Sequence, residues 1–472
     1  MSYNAKAIGT VQFVYDGRDF VSPVQPPEMV KRVPTLLERG AELRGELHMG
    51  IRNTFSAITR TVLRPLWRQI PLSWRYHLRW RWSKEPVYEF MSPKQKKRLV
   101  AQLTTRPRSG QRRSLWFLPS HTWFSSSFQR PQQMAIALSE AGCDVVYWEP
   151  WELQEHLHTA ESARKRQFAG RRRIGERLQL LRCPAEAYLE LMEASQPEWV
   201  LFYWPYQAKL IPPGLRSRTI YEMIDDHSLE RVDDDFKSTH AHWLKKADIV
   251  VGTADELVKQ LRVSRTDALL VPNGVRAEDW SRVAPYPVPR DLVEARCMRV
   301  VVGYYGAIAD WLDSEMWLAA ARERPAWAFV WIGYPYGAQM EAEISRVNSL
   351  PNTFYLGRKP YHQLPAYLAH FDVATIPFKL NPITHACSPI KLFEFMAAGK
   401  PVVATPMREI LKYQSVLFAN STGEFVAQIE RALELRKDPG RRRLLLQEAK
   451  ANTWSSRARE LCRAMGEISK GN

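Results

Sequence analysis

The stretch that decides the fold is "HACSPIKLFEFMAAGKPVV", residues 385–403. Ser388 is a favoured N-cap, and Pro389 suits the first helical position, where a missing N–H costs nothing. Ile390 to Ala398 is helix-compatible, Gly399 is the expected left-handed stop, and Pro401 prevents continuation. Val402 to Thr405 then reads as a short buried strand. Helix, tight turn and strand in this order are the repeat of a parallel α/β sheet. The N-terminus of the helix offers unpaired N–H groups and a positive dipole end. The Ser388 hydroxyl, the first-turn amides and the Lys391 ammonium therefore suit an anion. Glu394, three residues further along the same face, cannot share that anion, but a carboxylate there suits a diol. A diphosphate joined to a ribose matches both. The same residues also describe an ordinary capped helix with an exposed i,i+3 ion pair.

Outward from this unit, apolar runs alternate with helical patterns. From Ser114, "SLWFLPS", "CDVVYWEP", "LQLLRCP", "EWVLFYWPY", "RTIYEMIDD" and "ADIVVGTA" read as strands, with helices such as "RPQQMAIALSEAG" and "AHWLKKA" between them. The Pro-Asn-Gly of "ALLVPNGVRAEDW" breaks the pattern. A second series follows: "RVVVGYYGAI", "WAFVWIGYP", "NTFYLGR", "DVATIPF", "KPVVATP" and "SVLFAN". Such alternation predicts two successive parallel-sheet α/β domains, 114–275 and 276–472, facing across a cleft. Ligands of these sheets bind at the carboxyl ends of the strands, and domain boundaries favour pockets.

Residues 1–113 read as a basic, aromatic-rich extension. Residues 1–114 hold 22 Lys+Arg against 8 Asp+Glu, a balance of +14, while the rest of the chain carries only +3. No acidic residue occurs from Leu47 to Lys84, and Trp67, Trp74, Trp80 and Trp82 lie among arginines. This combination suits the anionic face of a membrane; it also suits stacking on nucleic acid, the less favoured partner, or a helix packed on the main body. The opening residues lack a signal-peptide pattern, and no run reaches the length of a spanning helix. The expectation is a cytoplasmic protein held peripherally at the inner face of the cell membrane. Five scattered cysteines without a Cys-x-x-Cys pair argue against a zinc site or a disulfide framework and point to a reducing compartment.

Five motifs in order, "WFSSSFQRPQQMAIALSEAGCDVVYWEP", "YEMIDDHS", "VPNGV", "GYYGAIADWLD" and "SPIKLFEFMAAGKPVVAT", resemble GT-B glycosyltransferases. The likeness is greatest to the bacterial group that makes teichuronic acid and other surface polysaccharides. It implies two Rossmann-like domains, an acceptor in the first, a UDP- or GDP-linked sugar in the second, and a last helix that crosses back. By the same resemblance Glu394 binds the donor ribose, Ser388 and Lys391 lie at the diphosphate, and Gly306 belongs to the nucleotide-sugar site. Two departures stand out. Many retaining members carry a second glutamate eight residues before Glu394, where this chain has Ala386, and many have Arg and Lys after the first donor-domain strand, where "YYGAIADWLD" has neither. Arg358 and Lys359 join Lys391 as candidate cations for the diphosphate.

On the acceptor side, "YEMIDDHS" places Asp225, Asp226 and His227 at the carboxyl end of a strand, as catalytic candidates: a carboxylate to deprotonate an acceptor hydroxyl, or an imidazole against the donor sugar. Asp226 as a helix cap and His227 as plain surface are the alternatives. Ser126 and Arg130, in "SSSFQR", are acceptor-side candidates, with Arg130 bracing its helix as the alternative. "VDDDF", 232–236, reads as a helix start rather than a metal motif. No metal and no cofactor are expected, because a helix dipole and basic side chains stabilise a leaving diphosphate. The expected activity is hexosyl transfer, with retention favoured, onto a saccharide that is lipid-linked. A nucleotide-sugar epimerase of the same architecture and a degenerate binding protein with a basic arm are the competing readings.

Overall fold

The computed structural model describes residues 93–104, 113–118, 123, 128–150, 170–183, 185–226, 234–281, 286–337 and 339–470. The membrane reading of the arginine- and tryptophan-rich segment, together with Ser126 and His227, falls outside them.

The first sheet runs β3-β4-β2-β1-β5-β6-β7-β8. Its strands are β1 (Ser114–Phe117), β2 (Asp144–Pro150), β3 (Gly170–Arg173), β4 (Leu178–Cys183), β5 (Trp199–Phe202), β6 (Arg218–Met223), β7 (Ile249–Gly252) and β8 (Leu269–Leu270). Every pairing is parallel except β3 with β4. The apolar runs became strands buried on both faces, as parallel sheets require. β3 is the element the sequence pattern does not show: its Gly-Arg-Arg-Arg has no apolar alternation because it lies at the sheet edge.

The second sheet is wholly parallel, in the order β11-β10-β9-β12-β13-β14. The strands are β9 (Val300–Ile308), β10 (Trp327–Pro335), β11 (Thr353–Tyr355), β12 (Val373–Ile376), β13 (Val402–Ala404) and β14 (Val416–Phe418). Chain order reverses between β9 and β12, so the crevice outside their carboxyl ends is where a doubly wound sheet takes its ligand.

Four helices position the site: α1 (Arg130–Glu140), α2 (Asp255–Arg262), α3 (Ile390–Ala397) and α4 (Trp454–Lys470). The last of these packs on α1 of the first domain, and Arg218 Nη1 donates to Ser469 Oγ at 2.8 Å. One apolar core runs between the first sheet, α1 and α4 and on into the second domain. Another fills the opposite face of the first sheet. The acidic run behaves as the sequence suggests, with Asp234 and Asp235 in the first turn of the helix Asp234–Lys246.

Candidate active site

Helix α3 ends as its sequence requires. Gly399 has φ +65°, Gly399 N donates to Met396 O at 2.9 Å and Lys400 N to Phe395 O at 3.0 Å, the paired bonds of a Schellman stop. Its start differs from expectation. Pro389 is the N-cap, with no side-chain cap, and Ser388 faces the other domain instead. Asn273 N donates to Ser388 Oγ at 3.3 Å and Asn273 Nδ2 to Ser388 O at 2.6 Å. The proline ring removes one N–H that a capping hydroxyl would serve, and Asn273 of the Pro-Asn-Gly turn takes the serine.

Lys391 and Glu394 make no ion pair with each other, and Glu394 is buried, which removes the exposed-pair reading. Half-buried Lys391 lies against Gly306 at the carboxyl end of β9. Its Nζ is 5.4 Å from the Tyr304 ring centroid and 5.1 Å from that of Phe378. Burial holds the ammonium below its ordinary value, with Cys387 and Glu394 opposing this. The space exists because of glycine. Gly306 has φ +145°, and a Cβ there would stand 2.8 Å from Lys391 Cε, while a Cβ on neighbouring Gly333 would strike Gly306 O at 1.8 Å. The carboxyl ends of β9 and β10 thus present bare backbone beside an ammonium, the arrangement a phosphate needs.

Glu394 is 4% exposed. Tyr305 Oη donates to its Oε2 at 2.8 Å, and Tyr361 also bonds the carboxyl. Burial pushes the carboxyl up to about 7, against the Tyr305 hydrogen bond and the Lys391 charge. Tyr361 Oη accepts from Gln133 Nε2 of α1 at 3.0 Å and from Trp280 Nε1 at 3.3 Å. Sequence reasoning missed both tyrosines; only the position of Tyr305 inside the glycine motif marked it.

The other candidates separate. The Arg358 guanidinium lies over Tyr334, 4.8 Å from the ring centroid. Lys359 is paired with Asp291 at 2.6 Å. Arg130 is 3% exposed. Its Nε and Nη2 donate to Glu222 at 3.0 and 3.3 Å, and its Nη1 to Pro272 O and Asn273 Oδ1 at 3.1 and 3.2 Å. These bonds tie it to the Pro-Asn-Gly turn. Asp226, buried, accepts from Gln260 Nε2 of α2 at 2.7 Å and serves the fold there; it is not the open carboxylate. Asp225 is exposed.

Asp225 exerts a charge effect on Cys387 of the second domain. Burial pushes the Cys387 thiol up to about 11, Lys391 opposes this, and Asp225 and Glu409 add to it. Ala386, 2% exposed, packs into the first domain's core, so a glutamate there would meet apolar side chains. The domains are also fastened by Arg408 with Glu256 at 2.7 Å, Lys412 with Asp255 at 2.9 Å, and Asp255 N donating to Glu409 at 2.7 Å. Among the described residues no group of three His, Cys, Asp or Glu is placed to hold a metal ion.

Known proteins resemble this chain in its second domain and in its fold. The family described as Glycosyl transferases group 1 matches residues 300–435, the part carrying Gly306, Lys391 and Glu394. A Bacillus subtilis (strain 168) protein named as a teichuronic acid biosynthesis glycosyltransferase, TuaH, is 29% identical over 239 residues. That match takes in 49% of this chain and 59% of the relative. Sucrose-phosphate synthase from Thermosynechococcus elongatus superposes with TM-score 0.56 at 14% identity, over 76% of this chain and 100% of its own. Anabaena HepE, solved with UDP and glucose, gives 0.53 at 12%, over 75% and 99%. The fold is GT-B, and the chain is similar to glycosyltransferases of the bacterial surface-polysaccharide type, with the group 1 match in its second domain.

Proposed function

We propose that the chain transfers a hexose from a nucleoside diphosphate sugar to a saccharide acceptor. The observation that carries this is Lys391 against the bared backbone of Gly306, at the strand-order reversal. The diphosphate lies along Gly306 and the N-terminus of α3, where Lys391 and the helix dipole take up charge as the bond to the sugar breaks. Glu394 receives the ribose diol in exchange for a tyrosine hydroxyl. Asp225 is the acceptor-side carboxylate, and retention of configuration is the expected course. Relatives in fold solved with UDP support a uridine donor first. A lipid-linked acceptor for surface polysaccharide, presented at an anionic membrane that the basic extension binds, completes the reading.

The test is transfer from UDP- and GDP-hexoses to lipid-linked and short soluble saccharides, followed by product mass. Acceptor-dependent hexose addition supports transfer. Conversion of the donor sugar to an epimer without acceptor overturns it in favour of the epimerase. Absence of both nucleotide binding and turnover overturns it in favour of a degenerate binder.

A further inference from the structure

Cys143 and Cys462 are separated by 319 positions, yet their Sγ atoms stand 3.7 Å apart. Cys143 immediately precedes β2 and is buried, while Cys462 lies within α4 and is half-buried. Arg113 borders the pair: a Cβ on Gly466, one turn beyond Cys462, would meet its Nη2 at 2.7 Å. We propose that these two cysteines are an oxidation site, taking a hydroperoxide as oxidant and closing to a disulfide that fastens the last helix to the first domain.

The roles of the two sulfurs follow from their surroundings. The two thiols are in hydrogen-bonding contact, either able to donate; this contact and burial hold the Cys143 thiol protonated, the same contact draws the Cys462 thiol below its ordinary value, and Arg113 favours the thiolate at both. Cys462 is thus the more accessible and more nucleophilic sulfur. Its thiolate attacks the peroxide, the O–O bond breaks, and with one proton taken up the products are Cys462 sulfenic acid and an alcohol, or water from hydrogen peroxide. Cys143 then displaces the sulfenic oxygen as water, forming the S–S bond. Overall two thiols lose two electrons and two protons and one hydroperoxide is reduced. A disulfide is about 2.05 Å long, so the sulfurs must approach by about 1.7 Å to close the bond. In a reducing compartment the bond reverses by thiol exchange.

Peptide mapping of the full chain tests this. The protein is treated with hydrogen peroxide, quenched with catalase, alkylated and digested. The expected result is a Cys143–Cys462 cross-linked peptide, two hydrogens lighter than its reduced parts and lost on adding dithiothreitol. Cys143→Ser should leave a sulfenic acid on Cys462 that dimedone traps. Oxidation should raise the melting temperature of the parent by about 5 °C and leave that of Cys462→Ser unchanged, a readout independent of transferase activity. Full alkylation of both thiols after peroxide, or a cross-link joining different cysteines, would overturn the proposal.

Discussion

At the scale of single residues, Glu394 makes the clearest prediction because its environment is unusual for a carboxyl. Its folded value, about 7, lies above the ordinary 4.5, so between those pH values the folded chain holds a proton that the unfolded chain releases. Stability from this group is therefore retained below pH 4.5 and lost as pH rises through 7, by about 3 kcal/mol in all. Glu394→Gln should flatten that part of the stability–pH curve, measured by denaturant titration from pH 5 to 8; an unaltered slope would count against the burial argument. Nucleotide affinity should run the other way, rising toward pH 8 as the carboxylate becomes available to the ribose. Glu394 and Lys391 were legible in the sequence as a pair on one helix, but their partners were not. Tyr305, Tyr361 and Gln133 come from three separate elements, and no local pattern joins them. Ser388 shows the same limit: capping propensity named it, and a long-range contact with Asn273 reassigned it.

Elements were the most legible scale, since apolar runs and Gly/Pro punctuation are local properties. The strands from Ser114 onward follow the apolar runs; β3 escaped because a polar edge strand carries no apolar signature, and β8, two residues long, is too short for any pattern. Two glycines separate stability from binding. Gly399→Ala forces a side chain into φ +65° with Arg442 Nε 3.0 Å from the new Cβ, and should destabilise by about 1–2 kcal/mol without changing nucleotide affinity in the folded protein. Gly306→Ala crowds Lys391 and should lower nucleotide affinity at least tenfold. Thermal melts beside UDP titrations of both variants check this, and equal affinity losses in the two would merge roles kept apart here.

For the whole molecule, the two-sheet architecture followed from alternating elements, whereas the closeness of the domains did not. Contacts such as Gln133 with Tyr361 and Ala386 with the first domain's core depend on the relative placement of residues far apart in sequence. Asp225→Asn should lower transfer by about tenfold, through lost orientation of the acceptor hydroxyl, while leaving UDP affinity within twofold; equal losses in both would move Asp225 to the donor. Removing residues 1–92 should release the protein from anionic vesicles and preserve UDP binding, and co-sedimentation at low and high salt reads this out. The central claim is that Lys391, held against Gly306, is the cation of a nucleoside diphosphate site. Calorimetric titration of UDP into the parent protein and Lys391→Met tests it most directly. The account predicts saturable one-to-one binding by the parent and an affinity at least tenfold weaker in a variant that melts no lower. Equal affinity in both, or no binding of UDP or GDP by the parent, would contradict it.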